Sequence, residues 1–210
     1  MKVSREVAER RPSDIIAACR KLYRKMSFKE ITLKEISKEA NISRPSIYNY
    51  FQTKEEIFLA ILQEEYRLWG HDLEKLLESG KTMGLEDFAE AITSSLADRT
   101  DMLKILCMNL YEIEDNSRKE RLVDFKKEYK NTWNILHSCI EKFFPSLEKT
   151  EQDNFIYELL SFLYGIYPYA HPTEKQLAAM NEAGLQRPDI TITGLTRAFI
   201  TDSLEKTRIK

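Results

Sequence analysis

Glycine and proline are scarce, six of each in 210 residues. That argues against a sheet protein built on tight turns and leaves no Gly-rich phosphate loop. Cysteine is scarcer: Cys19, Cys107 and Cys139 are odd in number and far apart, without metal-ligand or disulfide spacing. They read as reduced, buried thiols of a cytoplasmic protein, with redox sensing as the alternative. His71, His137 and His171 are scattered, and no nucleophile sits in a catalytic motif. The chain therefore reads as no enzyme, with no metal site and no cofactor. No apolar run approaches the roughly 18 residues of a membrane span. The opening MKVSREVAERRPS lacks the apolar stretch of a secretory signal. The expectation is a cytoplasmic protein with no membrane partner.

What the chain has is charge, 31% of residues, beside 42% hydrophobic residues. With few helix breakers, that mixture favours long amphipathic helices. The net charge of −2 is unevenly distributed. Residues 1–55 hold 13 Lys and Arg against 7 Asp and Glu, while the remainder holds 19 against 27. A basic N-terminal module on an acidic body fits nucleic-acid contact at one end; taken alone, the asymmetry is equally a fluctuation of solvated faces.

The stretch LKEISKEANISRPSIYNYF, residues 33–51, reads as two short helices joined by a turn. Thr32 caps the first, with Glu35 completing a capping box. Leu33, Ile36 and Ala40 form its inner face. Asn41 sits where the chain must turn and tolerates the left-handed conformation. Ser43 caps the second helix, and Pro45 fits its first turn. Ile47 and Phe51 face inward, which leaves Arg44, Ser46, Tyr48, Asn49 and Tyr50 outside. This is the layout of a DNA-reading helix-turn-helix.

At these residues the chain resembles the TetR family of bacterial one-component regulators. ITLKEIS, SRPSIYNYF and TKEEIF carry the likeness, which runs from about Ser13 to Ile61. The family usually has Gly where this chain has Asn41, and often Gly-Thr or Ala-Thr where it has Pro45-Ser46. The resemblance implies that Arg44, Pro45, Ser46 and Asn49 face base edges. It implies that Tyr48 and Tyr50 touch phosphates by their hydroxyls, with interhelical packing as the alternative for both. It places Lys54 against phosphate at the start of helix 4, and Thr32 close to one.

Periodicity predicts a flexible basic arm over residues 1–11 and a first helix opening at Pro12-Ser13. Helix 4 runs from Thr53 to about Leu77. Further helices follow over about 85–97, from Thr100 through Tyr111, from Ser117 to Phe144, from Thr150 to a disturbed end at Gly165 and Pro168, from Thr173 to Ala183, and from Thr193 to Lys206.

The fold class is all-α: an N-terminal three-helix helix-turn-helix domain, residues 1–55, then a helical effector-binding and dimerisation domain, residues 56–210. In TetR-like proteins the body holds an effector pocket, and the last two long helices dimerise. Met102, Leu106, Tyr129, Trp133, His137, Phe162 and Tyr167 are the candidate pocket lining, with plain core and dimer interface as the alternative. The expected partners are a double-stranded DNA operator, a second copy of the chain, and a small-molecule effector whose chemistry the sequence does not identify. The expected function is a sequence-specific transcriptional regulator, a repressor released from an inverted-repeat operator by that effector. The alternatives are a regulator controlled by a partner protein and a helical interaction module.

Overall fold

The computed structural model describes residues 5–80 and 82–208. Among them there is no strand, and the helices are α1 Arg5–Tyr23, α2 Leu33–Ala40, α3 Arg44–Tyr48, α4 Lys54–Glu78 and α5 Leu85–Ala97. There follow α6 Thr100–Leu106, a π-helix Asn109–Glu114, α7 Lys119–Phe143, α8 Lys149–Ala170, α9 Glu174–Glu182 and α10 Ile192–Arg208. The chain groups into two compact units: Met1–Glu65 with Met108–Glu128, and Tyr66–Cys107 with Tyr129–Lys210.

The first unit is built on aliphatic and aromatic side chains that α1 to α4 bury at helical spacing. Ile15, Cys19, Ile31, Ile36, Ile47, Ile57, Phe58 and Ile61 are completely buried. Tyr23 and Phe28 both meet the Phe58 ring edge-on, each with centroids 4.9 Å apart. The α2–α3 turn forms as its residues dictate. Asn41 has φ 52°, in the left-handed region. The Ile42 amide donates to the Ser37 carbonyl at 3.1 Å, and the Ser37 hydroxyl returns a 2.6 Å bond to the Ile42 carbonyl.

Residues far along the chain complete this unit. The Glu56 side chain is fully buried. Its carboxylate accepts from the Gln52 amide at 2.8 Å and from Arg118 Nε and Nη2 at 2.6 and 2.9 Å. A carboxylate removed from water is tolerable only when its lone pairs are satisfied in this way. Burial by itself raises the Glu56 pKa, but the Arg118 and Gln52 hydrogen bonds outweigh it and hold the group below its usual 4.5.

Four local features differ from the sequence reading. Residues 5–11 are helical, and α1 continues through Pro12 instead of opening there; residues 1–4 of the expected arm lie outside the described residues. The reading helix α3 spans only Arg44–Tyr48, so Asn49 and Tyr50 fall in the turn that follows it. The expected helix through Tyr111 stops at Leu106 and resumes as the π-helix. The wider turn rotates the inner face, so Asn109 and Ile113 are buried while Leu110 and Tyr111 are 50% and 88% exposed. Finally, α8 passes through Gly165 and Pro168 to Ala170, held by the buried Leu163 and Ile166.

In the second unit α5 packs on α10, and α8 packs on both α6 and α10. Trp69 is completely buried, and its indole N–H donates to Ser95 Oγ at 2.9 Å. Thr132 Oγ1 donates to the Tyr66 carbonyl at 3.0 Å. A Cβ on Gly70 would lie 3.3 Å from both Ile135 and Thr132, which marks the close approach of α4 and α7. Phe88 meets Phe144 edge-on at 5.1 Å. Cys19 and Cys139 are buried thiols, as expected, but Cys107 is exposed at the C-terminal cap of α6. Burial pushes both Cys19 and Cys139 up to about 12.

Two outcomes follow for stability. Asn41→Ala should destabilise by about 1–2 kcal/mol, because alanine in the left-handed region crowds its own carbonyl, whereas Asn41→Gly should cost little; denaturant titration of the three proteins checks this. Glu56 has a depressed native pKa, so its contribution is present above pH about 4.5 and is lost as pH falls through the native value. Melting temperature followed from pH 7 to 3 should therefore fall less steeply for Glu56→Gln, from a lower starting value. Parallel acid limbs in the two proteins would contradict this.

Candidate functional site

α3 exists because Ser43, Pro45 and Ile47 agree on it. Ser43 Oγ accepts from the Ser46 amide at 3.4 Å and shares a 2.9 Å bond with the Ser46 hydroxyl. Pro45 lies in the first turn, where a missing N–H costs nothing. Ile47 is completely buried and Phe51 nearly so. That anchoring decides what faces solvent: Arg44, Pro45, Tyr48 and Asn49 are exposed, and Ser46 is half-buried against Ser43. Tyr48 is 47% exposed, so its ring is not packed between helices, while Tyr50 is half-buried.

The remaining two residues of the expected interface have intrachain partners. Thr32 is exposed; its Oγ1 accepts from the Lys34 amide at 3.2 Å and hydrogen-bonds the Glu35 carboxylate. The expected reciprocal box does not form: the hydroxyl caps the Lys34 amide, one residue earlier than the box requires, and Glu35 meets that hydroxyl instead of the Thr32 amide. The Lys54 ammonium donates to the Phe28 carbonyl at 2.7 Å and lies 4.1 Å from the Phe28 ring centroid. Lys54 therefore ties α4 to the loop after α1.

The structure adds residues that the motif could not reveal. Arg11 and Asp14 of α1 line a polar depression of about 380 Å³ together with Asn41, Ser43 and Ser46, at the entry to α3. Arg118 and Arg121, some seventy residues downstream, reach the carbonyl at the other end of the reading helix. Residue spacing holds no signal for so distant a contact.

The seven candidate pocket residues divide among separate contacts. Tyr129 packs on Tyr66, with centroids 5.4 Å apart. Trp133 and His137, one turn apart on α7, face Tyr157 and Asp153, one turn apart on α8, at 4.5 Å between rings and 3.3 Å between Nε2 and Oδ1. Phe162 stacks on Phe199 of α10 at 4.4 Å. Tyr167 stacks on His171 at 4.6 Å. Burial, then the nearby Cys107 and Asp101, raise the Tyr167 phenol above its usual 10. Met102 and Leu106 are buried on α6. A separate groove of about 500 Å³ lies among Pro168, Tyr169, Met180, Leu185, Arg187 and Ile190. Among the described residues no group of His, Cys, Asp and Glu is arranged to hold a metal, and no helix is long and apolar enough to cross a membrane.

Comparison with known proteins agrees with this geometry. Residues 15–61 match the family model described as bacterial regulatory proteins, tetR family. Residues 63–205 match the one described as tetracyclin repressor-like, C-terminal domain. The uncharacterized HTH-type transcriptional regulator YfiR of Bacillus subtilis (strain 168) is 26% identical over 103 residues, 49% of this chain and 50% of that protein. The chain thus spans about half the length of that relative. The fold is similar to that of the TetR family transcriptional regulator PfmR from Thermus thermophilus, with TM-score 0.62 and 14% identity over 91% of this chain and 97% of that one. It is also similar to that of the fatty acid degradation regulator FadR from Bacillus halodurans, with TM-score 0.60 and 15% identity over 94% and 96%. With the N-terminal module matched and the C-terminal domain matched over more than half of its length, the chain belongs to the TetR family of bacterial transcriptional regulators.

Proposed function

We propose that the chain is a homodimeric repressor that holds an inverted-repeat DNA operator in the cytoplasm and lets it go when a small molecule occupies its body. The division of labour proposed is DNA contact by residues 1–55 and effector binding and dimerisation by residues 56–210. The carrying observation is the outer side of α3 and of the turn after it: Arg44, Pro45, Tyr48 and Asn49 are exposed while Ile47 and Phe51 anchor the other side. Arg44 has the bidentate geometry suited to guanine, and Asn49 that suited to adenine. Ser46 adds a hydroxyl beside them. Tyr48, Tyr50, Thr32 and Lys54 hold the head on phosphates, which position without discriminating.

Dimerisation is assigned to α8 and α10. Asn154, Tyr157, Glu158, Ser161, Pro168 and Tyr169 lie on the exposed side of α8. Phe199 is tied up within the chain by its stack on Phe162, so a substitution there would damage the fold before it tested the interface. Ser161 is the cleaner probe. The effector acts by binding more tightly to a dimer whose two reading helices no longer match the half-site spacing, and by reciprocity operator DNA weakens effector binding. The dispersal of Met102, Leu106, Tyr129, Trp133, His137, Phe162 and Tyr167 over several contacts favours a second reading, a regulator of the same operator that no small ligand controls.

Three outcomes test this reading. On a duplex selected by the wild type from a random pool, Arg44→Ala should cost about 1–3 kcal/mol and relax the preference at one base pair. Lys54→Ala should weaken all duplexes alike and reduce the salt slope by about one; an unchanged slope would leave Lys54 only its place on Phe28. Ser161→Arg should give monomers in sedimentation, and an intact dimer would exclude that face of α8.

A further inference from the structure

The turn that joins the reading helix to α4, residues 49–53, is held from outside itself. Its Tyr50 carbonyl accepts from Arg121 Nη2 at 2.7 Å, with Arg118 Nη2 at 3.4 Å. The Arg121 guanidinium lies 5.3 Å from the Phe51 ring centroid. The Gln52 amide is held by Glu56, whose carboxylate accepts from Arg118 Nε and Nη2 along one guanidinium edge and from the Arg118 amide. Thr53 Oγ1 donates to the Asn116 carbonyl at 3.2 Å. Each residue from Tyr50 to Thr53 is therefore tied, directly or through Glu56, to residues 116–121.

The helix these ties secure is five residues long, too short to set its own direction. Its N-terminal end has Ser43 and the α2 turn. The turn that follows its C-terminal end meets two arginines, at the Tyr50 carbonyl. Segment 108–128 clusters with the N-terminal helices, whereas the chain on either side, Tyr66–Cys107 and Tyr129–Lys210, forms the other unit. The chain thus leaves the body to deliver Arg118 and Arg121 and then returns to it.

We infer that Arg118 and Arg121 are positioning residues for DNA reading, through which segment 108–128 sets the pose of α3. This rests on the reading of α3 as a DNA-reading helix. Neither arginine need touch DNA. A charge-assisted hydrogen bond to the Tyr50 carbonyl restrains the turn, and its loss lets the reading helix sample poses that do not fit the groove. Only the fraction in the competent pose then binds. Nor is the segment mere fold reinforcement: because the restraint acts on the pose, whatever fixes α3 must in turn steady residues 116–121.

The test uses the full chain and a duplex that the wild type selects from a random-sequence pool. Arg121→Gln should keep its dimer state and melting behaviour and lose about tenfold in affinity for that duplex, the scale of one charge-assisted bond. Its salt slope and its affinity for a scrambled duplex should stay unchanged, and Arg121→Lys, which keeps the cation over Phe51, should recover part of the loss. An unchanged affinity, or a salt slope lower by about one, overturns the inference; the latter would make Arg121 a direct phosphate contact. Should Arg121→Gln unfold, amide hydrogen exchange on the wild type decides. Bound duplex should slow exchange at residues 116–121 together with residues 50–53, and protection confined to α2, α3 and their turn overturns it. A wild type that enriches no duplex at all removes the DNA-reading assignment itself, and this inference with it.

Discussion

A helix of five residues has no stability of its own, and the reading helix of this protein is five residues long. It is helical because Ile47 and Phe51 are buried beneath it and because both of its ends are tied down. Much of the first unit can be understood from that requirement. Asn41 takes a left-handed conformation so that α2 can stop and α3 can start at the right angle. Glu56 is buried beneath the following turn and tolerates burial because Arg118 and the Gln52 amide satisfy it. The polar outer face of α3 is the consequence: once Ile47 and Phe51 point inward, Arg44, Tyr48 and Asn49 have no other direction to take.

Much of this was legible in the sequence, for reasons that differ by element. α4 opens on a Thr53 cap and α5 is set by its apolar periodicity, and their predicted and observed ends agree within a residue or two. α9 is bracketed by the Thr173–Gln176 capping box and by Gly184 at φ 69°. The helix-turn-helix was legible because its residues interact with near neighbours. What was not legible depends on distant partners or on tertiary override. The π-helix shifts the inner face by a fraction of a turn, which places Tyr111 outside and Asn109 inside against the hydropathy pattern. Pro168 does not end α8, because the buried Leu163 and Ile166 hold the helix through it. Nothing in the spacing of Arg118 and Arg121 points to Tyr50, and only folding brings them there.

The body shows the limit of reading lining residues from aromatic content. Helical spacing places aromatics on one side of a helix, but the partner of each ring is a tertiary fact. Here Trp133 meets Tyr157, Phe162 meets Phe199, and Tyr167 meets His171. Each contact is an ordinary way for an aromatic side chain to satisfy its edge and face. An effector that uses these residues would have to replace such contacts, so its binding and a rearrangement of α7, α8 and α10 would be one event.

On the proposed function, two copies of α3 read one symmetric DNA site. Hydroxyl-radical footprinting of the full chain on its selected duplex tests it most directly. The expected result is two protected patches related by a two-fold axis, centred on inverted half-sites one helical turn apart or a multiple of it, with Arg44→Ala needing more protein to protect both halves, equally at each. A single unpaired patch, or uniform protection that ignores sequence, would contradict it.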